Sequence, residues 1–98
     1  MPPHRASLYA MAYYAMGRHK ESNTVLSELI AKDYPRGAYL VAAVHAFASR
    51  SDQAFEWLDR ALATRSEDLI GASVDPVLKS LHNDPRYAAF LKRIPLPN

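Results

Sequence analysis

One pattern of apolar and small residues occurs twice in this 98-residue chain, 32 positions apart. Tyr9, Ala10 and Tyr13 recur as Val41, Ala42 and His45, and Ser22, Leu26, Leu29 and Ile30 recur as Ala54, Leu58, Ala61 and Leu62. The correspondence runs through two segments of each unit in a single register. A repeat of that period points to stacked helical hairpins, in which no unit buries its apolar face alone and each covers its neighbour.

The segments read as helices. From Ala6 to Met16 every residue except Ser7 is apolar, tyrosine or alanine, and Gly17 ends the run. Between Lys20 and Lys32, residues Ser22, Leu26, Leu29 and Ile30 share one helical stripe, with Glu21, Ser27 and Glu28 on the wet side. Pro35 and Gly37 interrupt the pattern, so Gly17 and Gly37 both read as turns. Ala38 to Ser49 then repeats the first helix, with Ala38, Val41, Ala42 and His45 inward. Ser51-Asp52 is the expected N-cap of a fourth helix over about 53–64, and Glu56 lies near its positive dipole end.

Beyond Ser66 a different device takes over. Asp75-Pro76 and Asp84-Pro85 each combine an N-cap aspartate with a proline at the first helical position, where a missing amide costs nothing. Two short helices are predicted, 76–82 and 85–94, with Val77, Leu78 and Leu81 in one and Tyr87, Phe90 and Leu91 in the other laid over the second hairpin. Pro95 and Pro97 stop the chain. The predicted fold is all-α: antiparallel hairpins stacked as a short α-solenoid, with repeat 1 over about 4–36, repeat 2 over about 37–65 and C-terminal capping helices over about 74–94.

Length and composition narrow the functions. Ninety-eight residues make one small domain of modest stability, which contacts with a partner or a second copy would raise. No run approaches the roughly 18 apolar residues of a membrane span, and no apolar core of a secretory signal follows Met1-Pro2-Pro3-His4-Arg5. The absence of cysteine excludes disulfides, thiolate catalysis and cysteine-ligated zinc, and the expected location is the cytoplasm. Twelve basic and ten acidic residues are scattered along the chain, whereas nucleic-acid binders concentrate basic residues on one face. Neither nucleic acid nor a membrane is an expected partner. Lys79, Arg86, Lys92 and Arg93 read as a solvated face with helix-end charges.

Catalytic and cofactor patterns are missing. His4, His19, His45 and His82 lie at least 15 residues apart, so no two share the spacing of a metal site on a helix. His45 instead reads as an interhelical histidine with a hydrogen-bond partner. Glycine occurs only at 17, 37 and 71, too sparse for a phosphate-cradling loop, and no serine stands in GxSxG. Glu67-Asp68 is an adjacent carboxylate pair in a polar connector, which reads as solvated surface. No enzyme, cofactor, metal or small-molecule substrate is expected. Phe55 and Trp57 flank the inner stripe of the fourth helix and read as packing residues under the terminal helices.

Small residues facing each other within a hairpin, Ala10 with Ser22 and Ala42 with Ala54, let two helices approach closely. This pattern resembles the tetratricopeptide repeat, although Ala6 and Ala38 stand where that consensus has tryptophan, His45 replaces an aromatic, and the period is 32. The tail, with Trp57-Leu58, Ala61, Arg65, Val74-Asp75-Pro76, Leu81, Asp84-Pro85-Arg86-Tyr87, Phe90-Leu91 and Leu96-Pro97, is similar to the end of bacterial tetratricopeptide arrays. The resemblance covers about 6–97 and implies a terminal piece of a longer bacterial protein, of the kind that carries an adenylate cyclase, winged-helix or kinase domain ahead of the array. The first helix is also more apolar than a free end calls for.

In that architecture the first helices of successive hairpins line a concave groove. The register assigns it Leu8, Met11, Tyr14 and Ala15 from the first hairpin, with Tyr39, Leu40, Ala43 and Phe47 from the second. The groove is apolar and aromatic and lacks the clustered Lys and Arg that hold an acidic peptide terminus. Two functions stand open: a scaffold that binds a protein or peptide partner in this groove, and self-association or capping within a larger enzyme or regulator.

Overall fold

The computed structural model describes residues 2–32, 37–64 and 67–94, apart from the side chains at 67, 68, 70 and 73. Those residues form α1 (Pro3–Ala15), α2 (His19–Lys32), α3 (Gly37–Phe47) and α4 (Ser51–Ala63), then two 3-10 helices (Glu67–Val74 and Pro76–Leu81) and α5 (Pro85–Lys92), with no strand among them. Pro35, Arg65, Ser66 and the residues from Pro95 on lie outside the described residues, as do the side chains of Glu67 and Asp68.

The ends of α1 and α3 show why these helices stop. Gly17 has φ +77°, its amide donates to the Tyr14 carbonyl, and the Arg18 amide donates to that of Tyr13 at 2.8 Å. Those two bonds satisfy carbonyls left open by the last turn. Thirty-two positions later Ser49 takes φ 61°, and the Ser49 and Arg50 amides reach the Ala46 and His45 carbonyls in the same way. The repeat therefore extends to the helix ends, with a serine held in a conformation that glycine adopts more readily.

Helix α3 is the centre of the molecule. Every residue from Tyr39 to Ala46 is buried, as an all-round apolar helix requires. On one side Leu40, Val41 and Val44 pack with Ala6, Ala10, Leu26 and Leu29 of α1 and α2. On the other, Tyr39, Ala42 and Ala46 join α4 and the tail in a second cluster. Trp57 touches both clusters. The small-residue contacts are close: the Ser22 hydroxyl donates to the Ala10 carbonyl at 2.7 Å, and Ala42 and Ala54 are both fully buried in one cluster.

The tail is part of this core. Leu78 and Leu81 are completely buried, with Tyr87 and Phe90 nearly so, all against Phe55, Leu58 and Ala61 of α4. Asp75 and Asp84 cap their helices, Oδ1 accepting from the Val77 amide at 3.0 Å and from the Arg86 amide at 2.9 Å respectively. Further bonds fasten the tail: the Ser80 hydroxyl donates to the Ala46 carbonyl at 2.6 Å and the Tyr87 hydroxyl to that of Ala72 at 3.0 Å. Burial and the nearby Asp75 carboxylate raise the Tyr87 phenol above its ordinary value.

Several sequence expectations are corrected. Helix α4 starts at Ser51 with Arg50 as its N-cap and no side-chain cap, and the Asp52 carboxylate pairs instead with Arg86 at 2.9 Å. Gly37 is the first residue of α3 rather than a turn. Ile30 is 40% exposed, off the buried stripe of Ser22, Leu26 and Leu29, whereas its counterpart Leu62 packs against the tail-covered cluster. The segment 76–82 is 3-10 rather than α over Pro76–Leu81, and the 3-10 helix Glu67–Val74 has no counterpart in the sequence reading.

Candidate functional site

A cavity of about 340 Å³ opens between α1, α3 and the start of the second 3-10 helix. Its lining is His4, Ser7, Leu8 and Met11 of α1, Tyr39, Leu40 and Ala43 of α3, then Asp75 and Val77. The volume falls in the range of roughly 300–1,000 Å³ that ligand clefts occupy. Tyr39, Leu40 and Ala43 are buried and form the floor, while Leu8 stands at the rim.

Five of the eight groove residues expected from the sequence, Leu8, Met11, Tyr39, Leu40 and Ala43, thus border one concavity. The other three lie elsewhere. Tyr14 stacks on His19 with ring centres 4.5 Å apart, meets Phe47 edge-on at 6.3 Å and carries the Arg50 guanidinium 5.5 Å above its ring. Its hydroxyl donates to the Ala48 carbonyl at 3.3 Å. Tyr14 and Phe47 belong to an aromatic cluster at the C-terminal ends of α1 and α3, away from the cavity. Ala15, also assigned to the groove, is exposed and outside the cavity lining.

The polar groups of the cavity are few. The Tyr39 hydroxyl donates to Asp75 Oδ2 at 2.6 Å, while Oδ1 of the same carboxylate caps the 3-10 helix. The Ser7 hydroxyl donates back to the His4 carbonyl at 2.6 Å, the local bond of a serine inside a helix. His4, Ser7, Asp75 and Val77 escaped the sequence reading. Asp75 and Val77 were visible only as cap and helix residues, because the fold and not the spacing brings them to α1.

His45, the expected packing histidine, is buried on α3 and its Nδ1 accepts from Arg50 Nε at 3.0 Å. Burial lowers its pKa below 6.5; the Arg50 charge lowers it further, and Glu56 opposes the shift. Among the described residues no three His, Asp or Glu side chains gather as a metal site, and no helix is long and apolar enough to cross a membrane. Comparison of the chain with family models, with curated proteins and with solved structures finds no match.

Proposed function

We propose that this chain is a non-catalytic interaction module of the tetratricopeptide type: two antiparallel hairpins stacked as a short solenoid and closed by the tail. The cavity between α1, α3 and Asp75-Val77 receives an apolar peptide or helix of a protein partner, in the cytoplasm of a bacterium. The observation that carries this reading is the convergence of Leu8, Met11, Tyr39, Leu40 and Ala43 on one concave surface. An apolar floor with a single carboxylate suits side-chain burial from a helix-in-groove ligand. The Ser7 hydroxyl donates its hydrogen bond to the His4 backbone carbonyl instead of to a general base, which supports a binding role over nucleophilic chemistry.

The test is selection of helical peptides from a random display library on the immobilised chain, followed by amide shift mapping of the strongest binder. Apolar peptides that perturb Met11, Leu40, Ala43 and Val77 are expected. Failure to enrich any sequence, or shifts confined to residues outside the cavity, would overturn the assignment. Exposure of Leu8, Tyr9 and Met16 favours a second reading, in which α1 joins two copies of the chain.

A further inference from the structure

Asp75 and Asp84 open the same local device, an aspartate followed by proline, and each accepts a backbone amide two residues on, from Val77 at 3.0 Å and from Arg86 at 2.9 Å. Their charges are met differently. Arg86 also folds its guanidinium back onto the Asp84 carboxylate, Nε donating to Oδ1 at 3.1 Å and a terminal nitrogen to Oδ2 at 2.8 Å. At Asp75 the residue two places on is Val77, and among the described residues no lysine or arginine lies within ion-pair distance of the carboxylate. Asp75 has two neutral donors, the Val77 amide on Oδ1 and the Tyr39 hydroxyl on Oδ2. They hold the carboxylate in place without cancelling its charge.

The position of that charge decides what it can meet. Asp75 is half-buried and stands in the wall of the cavity between α1 and α3. Among the described residues no lysine or arginine lines the cavity, and its other polar residues are His4, Ser7 and Tyr39. A wholly apolar segment filling the cavity would take Asp75 further out of water with no opposite charge to replace the lost hydration, which opposes binding. A carboxylate offers about four acceptor positions, so the Val77 amide and the Tyr39 hydroxyl leave room on each oxygen for a further donor.

We propose that the apolar segment received in this cavity carries one lysine or arginine, whose charged head pairs with Asp75 while its methylene stem lies along the floor formed by Leu40 and Ala43. A guanidinium fork spans both carboxylate oxygens, and an ammonium reaches one of them. An acidic segment is repelled. The inference rests on the reading of the cavity as the partner site and adds the charge that the partner must bring.

Helical peptides selected from a random display library on the immobilised chain should carry a lysine or arginine at one fixed place among apolar residues. Exchanging that residue of the strongest binder for norleucine, which keeps an apolar stem and removes the charge, should raise Kd about tenfold, roughly the worth of one charge-assisted hydrogen bond. Asp75→Asn should weaken the basic peptide by a similar factor and leave the affinity of the norleucine peptide nearly unchanged, since the two substitutions remove the same pair. Peptides without a basic residue that bind and shift the amides of Met11, Leu40 and Ala43 would overturn the inference and leave the cavity reading intact, as would a Kd that the norleucine exchange does not alter. Failure to enrich any peptide, or binding away from the cavity, would overturn both. Should Asp75→Asn lose helicity, the norleucine exchange on the unaltered protein decides.

Discussion

Asp75 and Tyr39, 36 residues apart, meet at 2.6 Å and tie the tail to the central helix. One carboxylate serves two elements, since Oδ2 takes the Tyr39 hydroxyl while Oδ1 holds the Val77 amide. Asp75→Ala removes a cap and an interhelical bond together, for an expected loss of about 1–3 kcal/mol. Asp75→Asn keeps one carbonyl oxygen and should lose less, as should Tyr39→Phe at about 0.5–1.5 kcal/mol. Urea titration of the single and double variants measures both the losses and their coupling. An Asp75→Ala midpoint equal to that of the unaltered chain would show that the pair carries no stability.

Ser49 closes α3 at φ 61°, where its repeat equivalent is Gly17 at φ 77°. A non-glycine residue in the left-handed region costs roughly 1–2 kcal/mol, part of which glycine returns as unfolded-chain entropy. Ser49→Gly should therefore stabilise the chain by about 0.5–1 kcal/mol, whereas Gly17→Ala should destabilise it although the space around Gly17 is open. Thermal denaturation of the two variants gives opposite signs if backbone conformation governs both positions.

His45 makes stability depend on pH. Its folded pKa lies below 6.5, chiefly through burial and then through Arg50, so the unfolded chain binds its proton first as pH falls. Its contribution is complete above 6.5, declines as pH drops from there and levels off below the folded pKa. Folding free energy measured across pH 5 to 8 should show this decline, and His45→Gln should flatten it. The imidazole accepts from Arg50 in its neutral form, and protonation at Nδ1 would remove that bond.

Residues whose role depends on local spacing were legible in the sequence. Both Asp-Pro caps, the Gly17 stop, the Ser22–Ala10 contact and the burial of Leu78, Leu81, Tyr87 and Phe90 follow from periodicity and turn chemistry. The 3-10 helix Glu67–Val74 was not, although its buried Leu69 and Ala72 stand three apart, the spacing at which 3-10 side chains align. In the candidate site, α1 and α3 contributed residues through a readable repeat. Asp75 and Val77 arrive by a long-range fold-back that no local pattern encodes. The first helix already read as more apolar than a free end calls for, but which of its residues stay open was hidden, because apolar residues on a helix look alike in sequence whether a neighbour covers them or not. Only the contrast between Tyr9 and the fully covered Val41 reveals the difference.

The tail is held by apolar burial and by ion pairs, and the two differ greatly in strength. Phe90 is 2% exposed within the second cluster, and Phe90→Ala should cost about 3–5 kcal/mol through lost burial and the cavity left behind. Arg86 bridges Asp52 and Asp84 at 2.9 and 2.8 Å and lies 4.6 Å over the Phe55 ring, while Arg93 reaches Asp59 at 2.7 Å. The bonds from Arg86 lower the Asp84 pKa and raise that of Arg86, yet all of these groups except the half-buried Asp84 are exposed, where screening and side-chain entropy offset most of the attraction. Arg86→Ala should accordingly lower the melting temperature only slightly, and the difference from the unaltered chain should shrink in 1 M salt. Should Arg86→Ala destabilise as much as Phe90→Ala, electrostatic fastening and not burial would be what holds the tail on α4.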